Sequence, residues 1–88
     1  MYTKHAEVRM QQRGISRDVV ELLLRYGNCR ENISGSDIYS FNKKARKLVA
    51  KKLGKKELSK LDHCWDAYAV LCEGRIVTCG HRTQRFRN

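Results

Sequence analysis

The chain has 88 residues, enough for a single domain spanning residues 1–88 and one small core. Its hydrophobic share of 41% excludes a disordered polar tail, and no stretch approaches the roughly 20 apolar residues that a membrane span needs. Lys and Arg outnumber Asp and Glu 19 to 9, for a formal net charge of +10 and a pI near 9.9, a field that draws polyanions, nucleic acid foremost.

The opening residues MYTKHAEVRM lack the apolar core of a signal peptide, so a cytoplasmic location is expected. Thr3 is suited to cap a first helix that Gly14 ends. Along that helix His5, Arg9 and Arg13 stand four residues apart, each step turning by about 40°, so they form one row with Gln12 beside it. Ala6 and Met10, with Tyr2 just before them, supply only a thin apolar edge. Two guanidiniums and an imidazole in one row suit a phosphate. Taken singly, the arginines are as well explained by pairing with Glu7, Asp18 or Glu21.

Ser16 is placed to cap a second helix, with Asp18 in its first turn and Gly27 at its close. Val19, Leu22, Leu23 and Tyr26 share its face, widened by Val20 and Leu24, which marks a core helix. NCRENI and DIYSFN then read as a hairpin around Ser34, Gly35 and Ser36. From Lys43 to Leu53 the pattern is helical, with Ala45, Leu48, Val49 and Leu53 as the inward stripe, and Gly54 breaks it. KKELSKL follows as a short helix or an extension, with Leu58 and Leu61 facing inward. AYAVLC and RIVTCGHR flank Glu73-Gly74 as a second hairpin. The order predicts an α+β fold: an N-terminal helix pair and a middle helical segment packed on an antiparallel sheet of about four strands.

Between Lys43 and Lys60 there are nine basic residues and one acid, Glu57. Lys43, Lys44, Lys47 and Lys51 lie opposite the apolar stripe, whereas Lys52 falls inside it and is expected to snorkel. These lysines are candidate phosphate contacts, as are Arg82 and Arg85 of HRTQRFRN, where Phe86 interleaves. A solvated helix face and a charge-protected edge strand explain the same residues without a ligand. The four cysteines, Cys29, Cys64, Cys72 and Cys79, contain no C-x-x-C pair, and together with His63 and His81 they match no common zinc frame. Neither a metal nor another cofactor is expected.

If Glu73-Gly74 is a two-residue turn, Tyr68 opposes Cys79 and Val70 opposes Val77. His81 then shares a face with those four residues, while Thr78 and Arg82 point the other way. Asp66 is expected to pair with an arginine, and His63 to be structural.

The strings HAEVRM-x-x-RGIS, IYSFNKKARK and LD-x-x-x-DAYAVL-x-x-GRIVTCGHR cover most of the chain. They resemble a family of short bacterial proteins of unassigned function, grouped by sequence comparison with the barnase–EndoU–colicin–RelE metal-independent ribonucleases. The resemblance implies a RelE-like helical part laid on a four-stranded antiparallel sheet, RNA on the open sheet face, and for many relatives an antitoxin partner. The chain departs from the usual RelE arrangement in having no clear first strand before its helices and a long basic helix between its hairpins. A ribonuclease of that kind uses the RNA 2′-hydroxyl as nucleophile, with a base, an acid and cations on the phosphorane. The candidates for those roles are His5, Arg9 and His81, with Arg13 on the phosphate. The alternatives are a nucleic-acid-binding module without cleavage, and a domain that docks an acidic protein partner such as an antitoxin tail.

Overall fold

Side-chain caps set where the helices begin. In the computed structural model, which describes residues 1–31, 35–59, 61 and 64–81, Thr3 accepts from the Ala6 N–H at 3.1 Å and starts α1 (Lys4–Arg13). Ser16 accepts from the Val19 N–H at 3.3 Å and starts α2 (Arg17–Tyr26). Asn42 does the same for α3 (Lys43–Lys52), its Oδ1 lying 2.8 Å from the Ala45 nitrogen. Each cap satisfies an amide donor that the first turn leaves unpaired. Leu53 leaves α3 in an extended conformation, so Lys55–Ser59 is a separate short helix, α4, rather than a continuation.

The strands β1 (Asn28–Glu31), β2 (Ser36–Ser40), β3 (Ala67–Cys72) and β4 (Arg75–His81) form one antiparallel meander in the order β1-β2-β3-β4. Glu73 and Gly74 join β3 to β4 with φ of 52° and 77°, the two positive values of a type I′ turn, whose twist matches the flanking strands. The turn therefore has two residues, and Leu71↔Ile76 and Cys72↔Arg75 pair accordingly. Beyond them the register slips by one: Val70 pairs with Thr78 and Ala69 with Cys79, leaving Val77 as the extra residue of a bulge. The uninterrupted pairing expected from the sequence, Tyr68 with Cys79 and Val70 with Val77, is thereby corrected. His81 lies opposite Ala67, and Tyr68 opposite Gly80.

Helices cover one face of the sheet. α1 packs on β4, α2 on β2 and β3, α3 on α2, and α4 on α3. Ala67, Ala69, Ile76 and Cys79 point into this layer and are buried with Val19, Val20, Leu23 and Val49. Residues before α1 also join the sheet. The Thr3 N–H donates to the Ile76 carbonyl at 3.0 Å, the Ile76 N–H donates to the Met1 carbonyl at 2.8 Å, and Tyr2 makes a parallel bridge with Ile76. A one-residue stub thus stands where no clear first strand was expected.

One side chain on α3 departs from the expected stripe. Leu48 is 41% exposed, because α3 touches α2 through the narrow seam of Ala45 and Val49 and Leu48 lies beyond its edge. Lys52 is exposed and lines a groove between α2 and α4. Leu61 is buried and Leu58 half-buried, as the pattern predicts.

Gly27 closes α2 by donating to the Leu23 carbonyl at 2.8 Å and passes the chain directly into β1. A Cβ there would sit 2.4 Å from the Leu23 carbonyl oxygen and 3.1 Å from that of Ser40. Gly27→Ala is expected to destabilise the fold by about 1–3 kcal/mol through this clash, read by denaturant unfolding. The thiols of Cys64 and Cys79 are pushed up from the ordinary value of 9.0 by burial, with Arg9 partly opposing at Cys79. Because the folded value is the higher one, their contribution is complete at neutral pH and is lost as pH rises past 9.0 through the folded values. Stability is expected to decline in that alkaline window, and Cys79→Ala to flatten the decline, as measured by unfolding at stepped pH.

Candidate nucleic-acid interface

α1 runs beside β4 in the same direction. Thr3 Oγ1 donates to the Val77 carbonyl at 3.4 Å, Cys79 Sγ lies 4.0 Å from the Ala6 carbonyl, and His81 Nε2 lies 3.0 Å from the Arg13 carbonyl. His5 therefore stands near the start of this seam and His81 at its far end. Eight residues of helix separate His5 from Arg13, about 12 Å along the axis. The two imidazoles are not brought together, and the arrangement gives no pair able to straddle one phosphate.

His81 is engaged at both nitrogens. Nε2 faces the Arg13 carbonyl, which only accepts, so Nε2 carries a proton. Nδ1 lies 2.7 Å from Asp66 Oδ1, so both ring nitrogens face a partner. Among the described residues Asp66 thus pairs with a histidine rather than an arginine. The role of this contact is positional: it ties the last turn of α1 to the end of the sheet.

The remaining α1 candidates differ from one another. His5 and Arg13 are exposed. Arg9 is half-buried near the Cys79 thiol, and its Nε is buried without a hydrogen-bond partner among the described residues. Glu7 pairs with Arg17 at 3.4 Å, both well exposed, and Arg17 also lies 5.0 Å over the Tyr2 ring. Glu7, one of the three acids the row's arginines were weighed against, is therefore taken by Arg17 of α2.

On α3, Lys43, Lys44, Lys47 and Lys51 are all exposed, and none has an ion-pair partner among the described residues. Lys43, Lys47 and Lys51 rise in steps of about 6 Å along one side of the helix. Arg46 is different: its guanidinium lies 5.2 Å over the Trp65 ring, and Trp65 packs edge-on against Phe41 at 5.3 Å. It fastens α3 to the sheet. Arg82 and Arg85 lie outside the described residues, as does His63.

The sheet face away from the helices carries side chains that the sequence pattern left unassigned. The ladder places Asn28, Arg30, Ser36, Ile38, Ser40, Tyr68, Val70, Cys72 and Thr78 there. The strand acids Glu31 and Asp37 alternate to the other side. Tyr68 lies across β4 at Gly80, where a Cβ would stand 3.1–3.3 Å from its hydroxyl and ring carbons. The signal available in the sequence was the alternation of Asn28 and Arg30 in the first hairpin. Tyr68 was hidden by the bulge, which moved its expected neighbours His81 and Cys79 to the opposite face.

The four cysteines are free, and no group of three or more metal-ligating side chains occurs among the described residues. In a double-mutant cycle, His81→Ala and Asp66→Ala are expected to couple by about 0.5–1 kcal/mol, the range for a partly exposed ion pair, as measured by denaturant unfolding.

Comparison of the chain with protein-family models, with curated proteins and with solved structures finds no match.

Proposed function

We propose that the protein is an RNA-binding module whose phosphate contacts are made by α3. The observation that carries this reading is the run of Lys43, Lys44, Lys47 and Lys51, exposed and without ion-pair partners among the described residues. Holding like charges at helical spacing costs stability, and that cost is offset when a polyanion neutralises them. The sheet face beside β1 and β2, with its strand acids turned away, supplies uncharged and basic side chains for the rest of the strand. His5 and Arg13 add exposed polar contacts on α1.

Binding without cleavage is the form of the reading that the geometry supports best. The acid and base proposed from the sequence, His5 and His81, sit at opposite ends of α1, and both His81 nitrogens are already committed.

Fluorescence anisotropy with a labelled single-stranded RNA tests the reading. Log affinity should fall with log salt by about 0.7 per phosphate neutralised. Replacing the four α3 lysines by Gln should weaken binding at low salt and make that slope shallower by roughly 2–3. The RNA should remain intact after prolonged incubation in EDTA. Affinity that ignores salt would sink the phosphate contacts, and cleavage products that vanish with His5→Ala would restore the nuclease reading.

A further inference from the structure

We propose that a hollow on the open sheet face, at the corner of β1 and β2, is a subsite for one unpaired nucleotide. This rests on the RNA reading above and names the form of RNA taken. The hollow holds about 280 Å³ and is lined by Asn28, Arg30, Ile38, Ser40, Phe41 and Asn42. Asn28 pairs across the ladder with Ser40, and Arg30 with Ile38, so these four side chains share the face that the helices leave open.

Size comes first. At about 280 Å³ the hollow lies just under the roughly 300 Å³ at which ligand pockets begin, so it takes one base at most and is too small for a base pair. Its chemistry fits the same ligand. Ile38 and Phe41 give an apolar surface for a base, and Phe41 is held in place by its edge contact with Trp65. Asn42 has its Oδ1 committed to the Ala45 N–H, which leaves Nδ2 as the remaining donor of an exposed side chain on the rim. Arg30 has no ion-pair partner among the described residues, and the neighbouring acids Glu31 and Asp37 alternate to the other face. The hollow thus offers donors and a cation beside an apolar surface, which matches the acceptor-rich edge and phosphate of a nucleotide.

Position links the hollow to α3. Asn42 is followed directly by Lys43 and Lys44, so a strand with one nucleotide in the hollow has its next phosphate beside the start of the lysine row. A duplex keeps its bases stacked inside and meets the lysines alone. Single-stranded RNA therefore gains from the hollow, and duplex RNA does not.

The test compares two labelled RNAs of about 12 nucleotides, one single-stranded and one a blunt duplex, by anisotropy at low salt. Arg30→Glu removes the cation. Asn42→Asp keeps the capping oxygen and replaces the donor with an acid. Both sites are exposed, and thermal unfolding checks that each variant folds. Each should weaken single-strand binding by roughly tenfold while changing duplex binding by less than about twofold. Arg25→Glu, the same charge change on α2, should affect both RNAs alike. Equal loss for both RNAs in the Arg30 and Asn42 variants, or no loss for the single strand, overturns the subsite and leaves the lysine contacts standing. Failure of the unaltered protein to bind either RNA overturns the RNA reading and the subsite together.

Discussion

Ile76 and Cys79 are both wholly buried, yet they lie three residues apart on one strand. A regular strand sends such a pair to opposite faces. The bulge at Val77 supplies the additional residue that lets both point into the helix layer. The geometry at the end of β4 follows from it. His81 falls on the helix side, opposite Ala67, where it meets the last turn of α1 and the carboxylate of Asp66. An unbroken ladder would have turned the imidazole to the open face and left the Arg13 carbonyl without its donor.

The cations divide into those that build the fold and those that do not. Arg17 spans α1 and α2 through Glu7 and Tyr2, and Arg46 lies on Trp65. The α3 lysines contribute nothing comparable among the described residues, although their helix buries only Ala45 and Val49. The acids are also distributed unevenly. Asp18, Glu21 and Glu57, three of the nine in the chain, line the groove between α2 and α4 together with Arg25 and Lys52. The net charge of +10 therefore hides a surface that is mixed in one region and of a single sign along α3. That separation gives the electrostatic field a direction as well as a size.

Local chemistry was legible in the sequence. Thr3 and Ser16 read as caps, Gly14 and Gly27 as helix ends, Glu73-Gly74 as a tight turn, and α2 as a core helix, because each depends on residues within one or two turns of chain. Features set by distant partners were not legible. Val77 gives no sign that it is extra, since the bulge is imposed by the core that Ile76 and Cys79 must both reach. Leu48 fits a helical stripe but not the narrow contact that α2 offers. The His81–Asp66 contact joins residues 15 apart, and the carbonyl of Arg13 comes from 68 residues away. Of the candidate site, the exposed lysines could be named from their spacing. Arg30 and Asn42 could not, because the hollow they border exists only once β1, β2 and the start of α3 converge.

The pairing of Met1 and Thr3 with Ile76 closes nearly the whole chain into one loop, and the Thr3 hydroxyl reaches Val77 across 74 residues. Contacts of such separation are slow to form, because loop entropy must be lost before they contribute. During synthesis, the first helix emerges long before the strand that receives it. Its thin apolar edge gives it little to bury until β4 is present to receive it. A helix poor in apolar side chains is thus suited to its place in the chain: exposed early and alone, it offers little surface on which nascent chains could associate.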